Sequence, residues 1–190
     1  DTPCLKEKNI TFGSFNNFNK INERVIYVWS QILQKVKNSK LILKSSLKMN
    51  RSYLKKEFNK YGVIDSIIFL EKRKLESHYN LYKQIDIALD TFPYNGVTTT
   101  FEAISMGVPV ITMKGYNFNS RCGESIIKNL GMDSLIANDE EDYISKTINM
   151  TVDKNKLSET RKTIFNTSYQ TSLFDTKKFS SDFFDILGKI

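Results

Sequence analysis

The sequence predicts an α/β fold: a Rossmann-like parallel sheet of about six strands, helices on both faces, and a helical C-terminal tail. Three observations predict it. Short apolar runs of strand length alternate with amphipathic, helix-length segments along most of the chain. The stretch from Ile85 to Thr112, IDIALDTFPYNGVTTTFEAISMGVPVIT, reads as one βαβ unit whose turn is rich in Gly and Thr. The chain has 190 residues, 40% hydrophobic and 26% charged, which suits one globular domain over 1–190.

The elements follow in order. Asn9 to Phe15 is a β-rich first strand, followed by a polar loop through Ile21. Asn22 caps a helix, ERVIYVWSQILQKV, in which Val25, Val28, Trp29, Ile32, Leu33 and Val36 recur at helical steps. Ser39 to Lys44 is a second strand. Asn50 to Tyr61 is a helix with Gly62 just past its end. Ser66 to Leu70 is a third strand, Leu75 to Gln84 a helix carrying His78, and Ile85 to Leu89 a fourth strand. The central helix starts after Gly96, which lets the backbone turn tightly, with Thr98 or Thr99 as its cap; Gly107-Val108-Pro109 closes it. Val110-Ile111-Thr112 is the next strand. Asn119 to Leu130 is a helix stopped by Gly131, and Ser134 to Ala137 a short sixth strand. Three helices, 139–150, 153–168 and 175–187, finish the chain.

Composition excludes several classes. No apolar run approaches the roughly 18–20 residues of a membrane span. The start, DTPCLKEKNITFG, carries no signal-peptide core and no initiator Met, as expected of a piece of a longer chain. Cys4 and Cys122 are far apart and lack metal-ligand spacing, so they read as reduced thiols of a cytoplasmic protein. The sequons at Asn9, Asn149 and Asn166 then carry no meaning. A single histidine rules out a His-rich metal site, and no metal is expected. The net charge of +7 comes from scattered lysines in a chain also rich in Asn and Ile. That is compositional bias, with no nucleic-acid signature and no membrane surface implied.

The candidate site lies at the carboxyl ends of the strands, where open α/β sheets bind ligands. A helix start after a Gly/Thr-rich turn offers N–H groups and a positive dipole end, so a phosphate is the natural guest. Thr98 and Glu102 share one helix face, and suit a nucleoside diphosphate with the carboxylate on the ribose. The same turn also reads as purely structural. Lys20 either balances diphosphate charge or is a solvated loop lysine. His78 either packs on a base or is an ordinary helix residue. Asp90 ends a strand at the crevice and orients its loop. Arg121 is structural or a more distant anion contact. The loops after the first, third and fourth strands are expected to converge on this crevice.

At this point the residues carry a resemblance. Phe12 to Ile21 with Asn17 and Lys20, His78, and Asp86 to Thr100 resemble the carboxy-terminal catalytic lobe of the O-linked N-acetylglucosamine transferase family. The resemblance points to the bacterial members, usually with tetratricopeptide repeats. Gly107 to Val110, Ser120-Arg121 and Leu173 to Thr176 also fit, in order and nearly throughout the chain.

The resemblance implies the donor-binding half of a two-lobed, B-type (GT-B) glycosyltransferase, inverting and metal-independent, with a UDP-sugar as donor substrate and no cofactor. The acceptor is a protein or peptide Ser/Thr hydroxyl, and an amino-terminal lobe and tetratricopeptide repeats are the expected partners. Asn17, a Gln in animal members, and Lys20 would face the diphosphate, with Lys20 as the catalytic residue stabilising the leaving UDP. Gly96, Thr98 and Thr99 would bind at the helix start. His78 would lie near the uracil, and Glu102, an Asp in animal members, would hold the ribose. Leu75 and Leu81 stand where animal members have basic residues, and Val97 replaces a His. Those departures leave base and sugar open, since a related branch uses GDP-fucose. The rival expectation is a catalytically inactive nucleotide-binding or protein-interaction module.

Overall fold

The computed structural model describes residues 2–44, 51–70 and 75–189. A short helix α1 (Pro3–Glu7) leads to β1 (Thr11–Ser14), α2 (Glu23–Lys35) and β2 (Lys40–Lys44). Then come α3 (Arg51–Lys60), β3 (Ile67–Leu70), α4 (Leu75–Tyr82) and β4 (Ile87–Leu89). The chain continues through α5 (Thr98–Ser105), β5 (Val110–Met113), α6 (Phe118–Asn129) and β6 (Ile136–Ala137). It ends with α7 (Glu140–Val152), α8 (Lys154–Ser168) and α9 (Thr176–Leu187). The expected helix start at Asn50 lies outside the described residues, as does the loop after β3.

The six strands form one parallel sheet in the order β3-β2-β1-β4-β5-β6. Every residue of β4 and β5 is buried, the pattern of strands covered on both faces. The order reverses between β1 and β4, where Phe12 pairs with Ile87 and Gly13 with Ala88. Crossovers leave β1 and β4 in opposite directions, so a crevice opens at their carboxyl ends.

The local causes are visible in the sequence. Asn22 caps α2, its side chain accepting from Val25 N at 3.0 Å. Val25, Ile26, Val28, Trp29, Ile32 and Leu33 then face the core. Gly107 follows α5 with φ +70°, a left-handed turn that returns the chain to β5. At the opposite sheet edge, Asp86 accepts from Cys4 N and Thr11 N, each at 2.8 Å. Arg161 of α8 donates to the carbonyls of Ile85 and Asp86, both at 2.9 Å. These contacts tie α1 and α8 to the entry of β4 and so fix the strand that carries the site.

Candidate functional site at the β1 and β4 switch point

The floor of the crevice is Asp90, the residue after β4, whose side chain is fully buried. Its Oδ1 accepts from Gly96 N at 2.7 Å, Thr91 N at 2.9 Å and Asn16 Nδ2 at 3.3 Å. Its Oδ2 accepts from Thr112 Oγ1 at 2.8 Å. One carboxylate therefore joins the loop after β1, the loop after β4 and strand β5. Burial pushes its pKa up to about 6, against the opposing pull of the donors from Gly96, Thr112 and Thr91 and of the Lys20 charge.

Over that floor the loop 91–97 turns back into α5. A Cβ on Gly96 would lie 2.5 Å from Thr99 Oγ1 and 2.9 Å from Asn16 Oδ1. Its φ is not positive, so glycine is needed here for space and not for the tight turn expected from the sequence. The expected cap is also corrected. The N-cap of α5 is Val97, and no side chain caps the helix. Thr98 is exposed, and Thr99 donates its hydroxyl to Asn16 Oδ1 at 2.9 Å. The Thr100 N–H already donates to Val97 O at 3.0 Å, but those of Thr98 and Thr99 have no intrahelical carbonyl to reach, so this end is suited to an anion.

Lys20 ends the single turn of 3-10 helix Phe18–Lys20 and extends over the same loop. Its Nζ donates to Asn95 O at 2.9 Å and stands 4.2 Å from the centre of the Tyr94 ring. Burial lowers its pKa, and the Asp90 charge opposes that shift. Lys20 is thus fastened to the crevice and is no free-swinging loop lysine. Asn17 is exposed, and its side-chain oxygen accepts from Asn19 N at 3.0 Å, which shapes the turn that presents Lys20. Arg121 instead pairs with Glu124 at 2.9 Å.

One turn into α5, Glu102 meets α4. Its Oε2 lies 2.8 Å from His78 Nε2 and accepts from the Tyr82 hydroxyl at 3.0 Å. Tyr82 also donates to Thr99 O at 3.2 Å, and burial raises its pKa strongly. Lys44 Nζ, from the end of β2, meets His78 Nδ1. The Phe15 ring lies 5.9 Å from His78 and 4.7 Å from Tyr82.

The structure therefore gathers Lys20, Gly96, Thr98 and Thr99 around one loop, with His78 and Glu102 bonded to each other beside it. Sequence reasoning missed Asn16, Lys44, Tyr82 and Thr112. Lys44 alone carried a signal, a cation closing an apolar strand at its carboxyl end. Gly123 was also missed: a Cβ there would lie 2.0 Å from Thr112 Oγ1 and 2.8 Å from Asp90 Oδ2, so it lets α6 close against the floor. Among the described residues no three His, Cys, Asp or Glu side chains gather to hold a metal, and no helix is long and apolar enough to cross a membrane.

The model of glycosyl transferase family 41 matches residues 2–183. The chain belongs to that family. It is 37% identical over 186 residues to a probable UDP-N-acetylglucosamine–peptide N-acetylglucosaminyltransferase, SPINDLY, of Eustoma exaltatum subsp. russellianum. That match takes in 95% of this chain and 20% of the relative, so the chain spans about a fifth of the curated relatives it matches. A UDP-N-acetylglucosamine–peptide N-acetylglucosaminyltransferase of Caenorhabditis elegans is 28% identical, over 98% of this chain and 16% of the relative. Among solved structures, a mutant O-GlcNAc transferase of Thermobaculum terrenum superposes with a TM-score of 0.88 at 28% identity. The superposition covers 94% of this chain and 35% of that one. Anabaena HepE, solved with UDP and glucose, has a TM-score of 0.70 at 15% identity over 99% of this chain and 52% of its own, a likeness of fold.

Within the family, this chain corresponds to the C-terminal catalytic lobe of the O-GlcNAc transferases, and its fold is that of GT-B glycosyltransferases. Two departures noted in the sequence acquire positions. Leu81 is buried with 1% exposure, turned into the core, and Val97 is exposed at the start of α5. The Leu75 side chain lies outside what is described.

Proposed function

We propose that this chain is the donor-binding lobe of a cytoplasmic, inverting, metal-independent glycosyltransferase. It transfers N-acetylglucosamine, or another sugar, from a UDP-sugar to Ser or Thr hydroxyls of a protein. The observation that carries the reading is the loop of Asp90 to Thr99. It is closely packed at Gly96, whose N–H donates to Asp90, overhung by Lys20 and followed by a helix with no side-chain cap, in a chain of family 41.

The chemistry follows from that geometry. The acceptor oxygen bonds to the anomeric carbon as the bond from that carbon to the diphosphate oxygen breaks, and the hydroxyl proton leaves to a base. Negative charge grows on the departing diphosphate. The Lys20 ammonium and the N–H groups of Thr98 and Thr99 are aimed at it before the reaction starts. A cation and a helix end thereby supply the charge stabilisation that a metal supplies elsewhere. On the nucleoside side, Glu102 takes the ribose and His78 lies near the base. Asn17 acts through the turn it caps.

The acceptor requires more protein. Asp90 is sealed in the floor, and Glu102 is held by His78 and Tyr82 on the nucleoside side, away from the acceptor, so neither is placed to take the acceptor's proton. An amino-terminal lobe, with tetratricopeptide repeats, completes the cleft in the parent protein. Helix α9 buries none of its residues and leaves Phe179, Phe183, Phe184, Ile186 and Leu187 exposed, an apolar face suited to that lobe.

The test is a transfer assay with UDP-N-acetylglucosamine and Ser/Thr peptides, on this chain and on the full-length parent. The reading expects transfer by the parent and little or none by the chain. Transfer by neither, from UDP- or GDP-sugars, would favour an inactive binding module. Transfer by the chain at the parent's rate would contradict the division of labour.

A further inference from the structure

We propose that Lys44 is a positioning residue of the nucleoside side: through His78 it aims Glu102 at a vicinal diol. The proposal rests on the reading that a nucleotide occupies the crevice, and it adds a residue and a mechanism to that reading.

Lys44 is the last residue of β2, next to β1 in the sheet, and is 8% exposed. Its Nζ meets Nδ1 of His78. A lysine ammonium has three donors and no acceptor, so the ring nitrogen facing it must accept. An imidazole whose Nδ1 accepts carries its proton on Nε2. That nitrogen lies 2.8 Å from Glu102 Oε2, and a carboxylate only accepts. Lys44, His78 and Glu102 therefore form a directed chain of donors. The opposite tautomer would point Nδ1–H at the ammonium and a lone pair at the carboxylate, two repulsive contacts among half-buried groups.

The consequence falls on Glu102. The Tyr82 hydroxyl donates to the same oxygen, Oε2, at 3.0 Å. Two donors on one oxygen fix the plane of the carboxylate, and the Phe15 ring against His78 and Tyr82 holds both donors in place. Among the described residues Oε1 takes no hydrogen bond. It is left to accept from hydroxyls brought by a ligand, on the helix face it shares with Thr98. A carboxylate set in advance binds a diol without first losing its own rotamer freedom. Lys44 touches no ligand in this scheme. Its loss should weaken ligands that carry the ribose and spare those that carry phosphate alone.

The chain has one histidine, so ring-nitrogen NMR of histidine-labelled protein reports His78 and nothing else. The ligand-free wild type is expected to show a protonated Nε2 and a bare Nδ1. Lys44→Arg, also donor-only, should keep that signature, and Lys44→Met should lose it. By calorimetry Lys44→Met should bind UDP about tenfold more weakly, about 1.4 kcal/mol, with inorganic pyrophosphate affinity unchanged and Lys44→Arg near wild type. Tyr82→Phe is a second variant: it should weaken UDP and leave the tautomer as it was. A protonated Nδ1 in the wild type would overturn the proposal, and so would equal losses for UDP and pyrophosphate. A wild type with the expected tautomer that binds pyrophosphate but not UDP would refute the nucleotide reading, and the diol role with it.

Discussion

Asp90→Asn separates the two effects of burying a carboxylate under a loop. In the folded chain Asp90 has its pKa raised from 3.8 to about 6, chiefly by burial. A pKa raised on folding means that the native state holds the proton more tightly than the unfolded state. Between about pH 4 and 6 the native state then binds more protons, and stability falls as pH rises through that window. About two pH units at 1.36 kcal/mol each is a loss of about 3 kcal/mol by pH 7, an order of magnitude. Asparagine keeps an acceptor for Gly96 N and Thr91 N, and the Thr112 hydroxyl can turn to accept from the new amide. The variant keeps the loop and has nothing to titrate. Denaturant unfolding of both proteins at pH 4 and pH 7.5 measures the difference. The wild type should lose about 2–3 kcal/mol more than Asp90→Asn over that range, and taking the difference cancels other groups such as Asp86. A difference independent of pH would refute the reasoning, because it would mean that the carboxyl titrates alike in both states.

Further outcomes follow from the same contacts. Lys20→Ala should weaken UDP and pyrophosphate alike, by about 1.5–3 kcal/mol, the typical worth of a charge-assisted hydrogen bond; isothermal calorimetry checks it. Thr98→Val with Thr99→Val keeps both backbone N–H groups, so it should weaken the two ligands alike but by less than Lys20→Ala, through the lost Thr98 hydroxyl and the loosening of Asn16, which accepts from Thr99. Glu102→Ala should reduce UDP affinity more than pyrophosphate affinity, and equal penalties would make Glu102 structural. Gly96→Ala puts a methyl 2.5 Å from Thr99 Oγ1 and should destabilise the chain by about 1–3 kcal/mol in urea unfolding.

The sheet was legible because its strands are continuous apolar runs and its helices have clear periods and ends. Asn22 does cap α2, Gly62 and Gly131 adopt positive φ past their helices, and Ile136 and Ala137 do form the sixth strand. Helix α1 was not legible: five residues give no period. The site was legible only in outline. Lys20, Gly96, Thr98, Thr99, His78 and Glu102 do gather near the switch point. Their hydrogen bonds were hidden, because Asn16 is 83 residues from Thr99 and Lys44 is 34 from His78. The capping error at Thr98 and Thr99 is one of helix register. The helix starts earlier than its threonines suggest: Val97 is the N-cap, so Thr98 and Thr99 already lie inside the first turn, and the Thr99 hydroxyl goes to Asn16.

The central claim is that a nucleoside diphosphate binds at the carboxyl ends of β1 and β4. Calorimetric titration of this chain with UDP, GDP and ADP, repeated on Lys20→Ala, tests it most directly. The account predicts one UDP per chain, weaker binding of ADP, and a clear loss of affinity in the variant. No binding by any of the three, or binding that Lys20→Ala leaves unchanged, would contradict it.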